Sequence, residues 1–335
     1  MADPATVVVL GAGGFLGSKL VAALLAKGET YGRPIGKIVA ADLTAPAFEN
    51  AAVQGLAVDI TDAGAVTALL AEADVIYHLA AVVSGQAEAE FDIGLQVNLM
   101  GTLNVLEGAR ASGRVPRVVY TSSIAVFGGE IPSPVEDHYQ LNPQTSYGAQ
   151  KAAGELLVTD YSRKGFVDGV GLRLPTITIR PGKPNKAASS FMSSIFREPL
   201  QGQTANCPAD EDFPIWHSSG RTVIKNLVHA GDVAAADLGM NRCFALPGRT
   251  DTVREMIDAM TRVAGPEPAT RITWTEEPAI TPIIAGWRPV QRINPAKALK
   301  LGFTRDDSFE DNVRYFLEDD IQPAGAADPH GSGAA

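Results

Sequence analysis

Residues 6–17 have the sequence TVVVLGAGGFLG, an apolar run followed by closely spaced glycines. The run predicts a short strand, and the apolar residues after Gly17 predict a helix. Gly11 permits a tight turn, Gly14 lets the backbone approach a bound group, and Gly17 lets the helix pack closely on the strand. This stretch therefore predicts the first strand, turn and helix of a doubly wound α/β sheet.

The rest of the first half alternates short β-branched runs with helical stretches, which is typical of a parallel sheet with helices on both faces. The predicted strands are Thr6–Leu10, Lys37–Asp42, Gly55–Val58, Val75–His78, Arg117–Thr121 and Gly169–Leu174. The predicted helices are Gly14–Lys27, Ala63–Ala71, Ala89–Ser112 and Tyr147–Lys164. We therefore predict a Rossmann-type domain in residues 1–180.

After Pro175 the rhythm changes to proline-marked loops and short helices. This favours a smaller α/β substrate lobe, residues 181–323, over the carboxyl edge of the sheet, where such sheets bind ligands. Residues 226–240 are expected to return to the first domain, with Leu227–His229 as a strand and a helix from Asp232, so that the lobes are interleaved. Residues 324–335 are rich in glycine, alanine and proline and predict a disordered tail.

Composition limits the classes of function. No run approaches the roughly 18 apolar residues that span a bilayer, and no secretory signal is recognisable, so we expect a cytoplasmic protein. The net charge of −10 disfavours nucleic acid and anionic membranes as partners. Cys207 and Cys243 match no redox or metal motif, and the histidines show no ligand spacing, so no metal is expected.

The glycine-rich turn at a helix start predicts a dinucleotide site, because free N–H groups and the positive helix end bind a diphosphate. Asp42 ends the second strand, where its carboxylate can bind the ribose hydroxyls and would repel a 2′-phosphate. The pattern favours NAD over NADP. Further predicted cofactor contacts are Phe15 and Leu16 at the helix start, and Asp59, Ile60, Leu79, Ala80, Ala81, Pro175 and Thr176 after later strands.

Tyr147 and Lys151 lie four residues apart on a predicted helix and therefore on one face. A lysine ammonium beside a phenol favours the phenolate and lowers a pKa that is about 10 when unperturbed. Ser123 ends the fifth strand, where its hydroxyl can hydrogen-bond a substrate oxygen at the reacting carbon. These three residues are the predicted catalytic group.

Five ordered motifs resemble the extended short-chain dehydrogenases/reductases, the superfamily of NAD-dependent epimerases and dehydratases. They are the glycine loop, Leu79-Ala80-Ala81, Asn98 within VNLMGT, SSIAVFG from Ser122, and Tyr147-x-x-x-Lys151; the resemblance covers roughly residues 5–320. Residues 145–157 (TSYGAQKAAGELL), 173–177 (RLPTI), 180–191 (RPGKPNKAASSF) and 84–86 (SGQ) further resemble the D-erythronate dehydrogenases, which oxidise the C2 hydroxyl of a four-carbon sugar acid with NAD.

The resemblance implies a role for each motif residue. Tyr147 would remove the proton of the C2 hydroxyl while hydride passes to the nicotinamide, and Ser123 would hold that oxygen. Lys151 would also bind the nicotinamide ribose. Asn98 would contact the cofactor site, either relaying protons or fixing the helix of the catalytic pair. Ala89–Ser112 and Tyr147–Lys164 resemble helices that pair in homodimers, so a homodimer is expected.

An acid substrate needs a cation beside its carboxylate, and the second half offers Arg180, Lys183, Lys186 and Arg221. The planar arginine fork grips a carboxylate with two hydrogen bonds, so Arg180 and Arg221 rank above the lysines. Ser84 and Thr176 follow strands and are expected to meet substrate hydroxyls.

Residues 221–229, RTVIKNLVH, lack the Arg-Asp pair that nucleotide-sugar enzymes usually show before the returning strand. This favours a small acid, although Lys225 could partly replace the missing arginine. Trp216 and His217 either line a pocket or pack the lobe. The alternatives are a nucleoside-diphosphate-sugar 4-epimerase or dehydratase with the same Tyr147, and a non-catalytic NAD-binding protein, which has no need of the catalytic group.

Overall fold

The computed structural model describes residues 3–182, 188–278, 280–281, 284 and 287–321, so Lys183, Lys186 and the predicted tail (324–335) lie outside the described residues. The strands are β1 (Ala5–Leu10), β2 (Glu29–Thr30), β3 (Arg33–Asp42), β4 (Val53–Ala57), β5 (Val75–His78), β6 (Arg117–Ser123), β7 (Asp168–Leu174), β8 (Thr176–Thr178), β9 (Ala205–Cys207), β10 (Pro214–Ser219), β11 (Cys243–Ala245), β12 (Arg249–Thr252) and β13 (Ile272–Trp274).

The α-helices are α1 (Phe15–Lys27), α2 (Ala63–Leu70), α3 (Ser84–Ala89), α4 (Phe91–Gly94), α5 (Gly101–Ala111), α6 (Ser146–Arg163), α7 (Phe191–Leu200), α8 (Gly220–Ala230), α9 (Ala235–Leu238), α10 (Val253–Ala264), α11 (Ala296–Lys300) and α12 (Phe309–Asp319). Leu95–Met100 forms a π-helix, and Ile124–Val126, Ala188–Ser190, Pro268–Arg271 and Arg288–Gln291 form short 3-10 helices.

Within the described residues, the largest sheet has eight strands. Seven run parallel in the order β11-β7-β6-β5-β1-β3-β4, and β2 pairs antiparallel with the start of β3. Because β1 lies between β3 and β5, the strand order reverses there, and ligands bind at the carboxyl end of such a switch point. The predicted Rossmann-type α/β fold is confirmed.

Helices cover both faces of this sheet, which explains why central strands such as β1 and β5 are buried along nearly their whole length. One face packs against α1 and α8 through Leu20, Leu24 and Leu227, all fully buried. The opposite face packs against α2, α5 and α6 through Leu70, Leu106 and Val158. Val7 and Val9 point to the first face, and Val8 and Leu10 to the second.

One predicted helix is wrong. Ala89–Ser112 is not continuous: α3 already begins at Ser84, Glu90 leaves helical geometry with φ −126° and ψ 70°, and a π-helix separates α4 from α5. The spacing of apolar residues predicts which positions are buried. It does not show where a turn contains one extra residue, as in the π-helix Leu95–Met100. The other three predicted helices agree with α1, α2 and α6 to within a residue at each end.

The predicted returning strand Leu227–His229 is also wrong, because these residues lie inside α8. Ser219 caps α8 by accepting a hydrogen bond from the Thr222 N–H at 3.1 Å. The buried residues Val223, Leu227 and Ala230 have helical spacing and pack towards α1. The helix expected from Asp232 is only the short α9, and the strand that returns to the large sheet is β11, in which Cys243 pairs with Gly171 of β7.

A second group of elements packs beside the carboxyl edge of the large sheet. Strands β8, β10 and β12 form one small sheet, and β9 pairs with β13. Helices α7, α10 and α12 enclose an apolar core that includes Phe196, Met256 and Phe309. The boundaries predicted for the two domains remain predictions. No described helix is long and apolar enough to cross a membrane; the cytoplasmic location remains a prediction from sequence.

Candidate active site

The glycine loop lies at the carboxyl end of β1 and has the tight geometry expected of it. Gly11 has a φ of +87°, and a Cβ there would lie 2.7 Å from the Ala80 nitrogen. A Cβ on Gly17 would lie 2.0 Å from the Gly11 oxygen, so a side chain would push α1 off the loop. Gly14 is the N-cap of α1 and has no side chain to bind the first N–H groups, which leaves them for a ligand.

The predicted adenosine contacts lie around this loop. Asp42 ends β3, and its carboxylate accepts hydrogen bonds from the N–H groups of Gly13 (2.9 Å) and Leu43 (2.7 Å). Asp59 is exposed and caps the next turn by accepting from the Thr61 N–H at 2.9 Å. Ile60 is only 6% exposed, so its side chain belongs to the core. Phe15 and Leu16 are partly exposed in the first turn of α1.

The segment after β5 is tied to the end of β1. The N–H groups of Leu79 and Ala80 both donate to the Leu10 oxygen, at 2.9 and 3.0 Å. Ala81 follows directly and is partly exposed, as are Leu79 and Ala80. The backbone therefore places this segment beside Gly11, at the switch point of the sheet.

The predicted catalytic residues converge from β6 and α6. Thr145 caps α6 by accepting from the Gly148 N–H at 3.1 Å, which sets the helix start just before Tyr147. The Tyr147 phenol lies near Ser123 at the end of β6, and both side chains line the same cavity. The Lys151 ammonium donates to the Thr121 oxygen at 2.8 Å and lies 5.7 Å from the centroid of the Tyr147 ring.

The charge states of this group differ from the sequence prediction. Burial raises the pKa of Tyr147 to about 12, and the nearby Ser123 hydroxyl acts in the opposite direction. Burial lowers the pKa of Lys151 to about 7. The pKa of Tyr147 is therefore shifted in the direction opposite to the predicted one, because desolvation of the buried phenol is the largest cause of the shift. Tyr147 can therefore act as a phenolate near neutral pH only if additional positive charge in the site lowers its pKa.

Asn98 lies in the π-helix, and its side chain is fully buried. Its Oδ1 accepts from the Val82 N–H at 2.9 Å, and its Nδ2 donates to the Val82 oxygen (3.2 Å) and to Gln150 Oε1 (2.8 Å). Both amide protons are thus used. This arrangement corrects the prediction of a cofactor contact through the Asn98 side chain and agrees with the helix-fixing alternative, since Gln150 precedes Lys151 on α6.

A cavity of about 220 Å³ opens beside Ser123 and Tyr147. It brings together most of the predicted substrate residues, namely Ser84, Ser123, Tyr147, Thr176 and Arg180. Pro175, a predicted cofactor contact, also lines it. Its lining combines apolar side chains with polar groups that can orient a ligand, as is typical of a small-molecule site. Residues that sequence reasoning missed also line it: Phe127, Gln144, Thr145, Ser189, Trp287, Val290 and Gln291. Gln144 and Thr145 could have been found from their position just before Tyr147, but nothing in the sequence indicates Trp287 or Gln291.

Arg180 is the predicted carboxylate-binding residue that lines the cavity. Its Nε is buried without a hydrogen-bond partner. Among the described residues, no carboxylate forms a salt bridge with it, whereas Arg197 lies nearby and donates to its backbone oxygen at 2.9 Å. Burial and the Arg197 charge lower the pKa of Arg180. These surroundings favour an anionic ligand beside its guanidinium.

Arg221 lies elsewhere, which contradicts its predicted contact with substrate. Its Nε donates to Asp319 at 3.0 Å, its Nη2 donates to Glu318 at 2.9 Å, and its guanidinium lies 4.2 Å from the centroid of the Tyr315 ring. Lys225 is exposed on α8.

Trp216 and His217 pack the lobe and do not line the pocket. The imidazole of His217 is fully buried and lies 2.8 Å from Asp251, and Trp216 belongs to an apolar cluster with Val290. Neither residue lines the cavity.

The chain is similar to known proteins over nearly its whole length. A sequence model of the NAD dependent epimerase/dehydratase family matches residues 7–242. A D-erythronate dehydrogenase of Cupriavidus necator is 46% identical over 93% of this chain and 98% of that protein. A D-erythronate dehydrogenase of Haemophilus influenzae is 41% identical over 94% of this chain and 99% of that protein. A crystal structure named as the nucleoside-diphosphate-sugar epimerase from Agrobacterium tumefaciens has 42% identity, a TM-score of 0.89 and 94% coverage of each chain.

Proposed function

This chain belongs to the NAD dependent epimerase/dehydratase family, and we propose that it oxidises the C2 hydroxyl of a small sugar acid, preferably D-erythronate, with NAD. The observation that carries the proposal is that Arg180, without a described carboxylate partner, lines the same cavity as Ser123 and Tyr147. A 2-hydroxy acid places its carboxylate one bond from the carbon that reacts. The names of the two curated relatives support the same substrate.

The residues around the switch point fit NAD. The uncapped N–H groups of α1 suit the diphosphate, and Asp42 suits the adenosine ribose, because it lies beside the loop and carries a negative charge. Lys151 uses one N–H for the Thr121 oxygen and keeps others for the nicotinamide ribose. When bound, NAD supplies the hydride acceptor and a positively charged ring.

The chain's own residues handle the proton and the orientation of the substrate. Tyr147 removes the proton of the C2 hydroxyl, and the Ser123 hydroxyl holds the same oxygen. Since the pKa of Tyr147 is about 12 in the protein alone, a positive charge in the site is what makes this base effective near neutral pH. Arg180 fixes the carboxylate, and the apolar walls exclude water from the reacting carbon. The products are the 2-oxo acid, NADH and a proton.

The second candidate is a nucleoside-diphosphate-sugar 4-epimerase or dehydratase, which the name of the Agrobacterium tumefaciens structure favours. Two observations favour the small acid instead. The cavity of about 220 Å³ is smaller than the roughly 300–1,000 Å³ typical of sites for larger ligands. The arginine on α8, Arg221, is already paired with Asp319 and Glu318, and residues 221–229 contain no Arg-Asp pair for a diphosphate.

A substrate screen tests the proposal directly. The purified full chain is incubated with NAD and C3 to C6 aldonic acids, and NADH is followed by its absorbance. We expect net NADH formation, fastest with D-erythronate, and loss of that activity in Tyr147→Phe with NAD binding retained. Failure of every acid to yield NADH would refute the proposal, and interconversion of a nucleotide-sugar without net NADH would establish the second candidate.

We further propose that the enzyme is a homodimer. The helices expected to pair carry exposed apolar side chains: Phe91 is 57% exposed, Met100 39% and Leu156 67%. Phe91 begins α4, Met100 ends the π-helix just before α5, and Leu156 lies on the outer face of α6. A second copy that presents the same residues would remove this apolar surface from water.

A further inference from the structure

A buried ion pair lies directly behind the catalytic residues. Glu155 and Arg173 are 2% and 4% exposed. The guanidinium grips the carboxylate at two points, from Nε to Oε1 at 2.9 Å and from Nη2 to Oε2 at 2.7 Å. Glu155 follows Lys151 by four residues on α6, so it continues the face of the helix that carries Tyr147 and Lys151.

The carboxylate of this pair reaches the strand that carries Ser123. The Ser122 hydroxyl donates to Glu155 Oε1 at 2.6 Å and is itself 2% exposed. Ser122 and Ser123 are consecutive at the end of β6, where their side chains point to opposite sides. Glu155 thus connects α6, which carries the Tyr147 phenol, to Ser122, which is next to Ser123 on β6.

The guanidinium of the pair reaches the other walls of the cavity. Arg173 Nη1 donates to the Asp137 backbone oxygen at 2.9 Å, and the guanidinium lies 4.8 Å from the centroid of the Phe127 ring, which lines the cavity. The Asp137 carboxylate in turn accepts from the Ala245 N–H of β11 at 2.7 Å. Arg173 itself precedes Leu174 and Pro175, which line the cavity from β7.

We propose that Glu155 and Arg173 are positioning residues, which hold the Ser123 hydroxyl and the Tyr147 phenol at the separation that proton transfer requires. The role rests on the proposed function of the site. A buried ion pair is weak evidence for stability, because apolar residues of similar volume often replace such a pair without loss. Here the Glu155 carboxylate is also bonded to Ser122, next to Ser123, and the Arg173 guanidinium lies against the Phe127 ring of the cavity wall, so geometry is the better reason for the pair.

The same two strands supply a matched control. Arg117 begins β6 and Asp168 begins β7, and their side chains form a buried ion pair at 2.6 Å. This pair lies at the amino ends of the strands, and its other partners are Tyr31, Arg242 and the backbone around Val233. It resembles the Glu155–Arg173 pair in burial and charge but touches none of the residues that line the cavity.

The test compares Ser122→Ala, Glu155→Gln and the apolar double variant Glu155→Leu/Arg173→Met with the control Asp168→Asn, all in the full chain. We measure kcat, KM for D-erythronate and for NAD, the pH profile of kcat, and Tm. We expect the Glu155 variants to lower kcat by about 10- to 100-fold, as displacement of a reacting group does. KM for NAD should not change, and the rising limb of the kcat profile should move to higher pH as Ser123 loses its hold on Tyr147. Ser122→Ala, which removes one hydroxyl, should change kcat and the profile in the same direction.

Asp168→Asn should lower Tm and leave kcat and the pH profile of the folded enzyme unchanged. Wild-type kcat and pH profile in Ser122→Ala and in the apolar double variant would overturn the proposal, as would an equal loss of kcat in Asp168→Asn. If the wild-type chain forms no NADH from any acid, the proposed function fails. The same variants are then compared in nucleotide-sugar interconversion, which uses the same phenol and hydroxyl and decides on the pair independently.

Discussion

Replacing Arg180 with methionine tests whether this residue recognises the substrate carboxylate. Methionine keeps an unbranched apolar side chain in the cavity wall and removes the charge. A hydrogen bond to a charged group contributes about 1.5–3 kcal/mol, and loss of one partner of a buried charge pair costs about 2–5 kcal/mol. Arg180 is only partly buried, so about 2–4 kcal/mol is the appropriate range. That energy corresponds to a rise in KM for D-erythronate of roughly 30- to 1,000-fold.

The assay is the initial rate of NADH formation at saturating NAD with varied D-erythronate. The KM for NAD should not change in Arg180→Met, because Arg180 lies with the substrate residues and not at the glycine loop. Erythritol, which has the same carbon chain without a carboxylate, gives a second comparison. The wild-type enzyme should strongly prefer the acid, and Arg180→Met should lose most of that preference. The Tm should not fall, since no described ion pair is broken.

Arg221→Met is the matched control, because Arg221 was an equal candidate from the sequence and lies outside the cavity in an ion pair with Asp319. We expect it to leave KM for D-erythronate unchanged. The reasoning is refuted if Arg180→Met keeps the wild-type KM and the preference for the acid, or if Arg221→Met is the variant that loses them.

Three further outcomes are expected. In Ser123→Ala, the pKa of Tyr147 should rise, because the nearby hydroxyl that lowers it is lost; the rising limb of the kcat profile should therefore move to higher pH, and an unmoved limb would contradict this role. In Asp42→Ala, removal of the carboxylate beside Gly13 should raise the ratio of kcat/KM with NADP to that with NAD by about tenfold or more, equivalent to at least roughly 1.4 kcal/mol; an unchanged ratio would mean that Asp42 does not select the cofactor. In Leu156→Glu, a buried like-charge pair across the two-fold axis should yield a monomer in light scattering, and a dimer of unchanged size would exclude α6 from the interface.

The parts of the fold that sequence could predict are those in which a local pattern is sufficient. Thr6–Gly17 combines an apolar run with glycines at fixed spacing, and the structure has β1, the turn at Gly11 and α1 in that order. The returning strand could not be found in this way. β11 has three residues, and it is a strand only because β7 offers an unpaired edge beside it. The apolar residues around Leu227 form a more obvious pattern in the sequence than β11 does. Their spacing is helical, however, and it extends beyond the predicted strand Leu227–His229 over the whole of α8.

In the candidate site, too, the residues that belong to a local sequence pattern could be predicted, and the properties that depend on tertiary structure could not. The glycine loop, Ser123, Tyr147 and Lys151 are recognisable because the chemistry needs those residue types at those spacings, and the relatives confirm the family to which the motifs point. The direction of the Tyr147 pKa shift could not be predicted, since it depends on burial. The sequence shows that a lysine lies four residues away, but not that the phenol is buried and that desolvation is the largest cause of its pKa shift.

The arginine proposed to bind the substrate carboxylate shows most clearly why the remaining part of the site could be found only from the structure. Arg180 and Arg221 are chemically identical, and the sequence ranked them equally. This chain has 38 acidic and 28 basic side chains, so an arginine usually finds a carboxylate nearby. Arg221 does so with Asp319 and Glu318 at the surface. Arg180 is half-buried in a cavity wall, with Arg197 rather than a described carboxylate beside it. In a chain with excess acid, a cation without an acidic partner in a small cavity is the feature that most specifically indicates an anionic substrate.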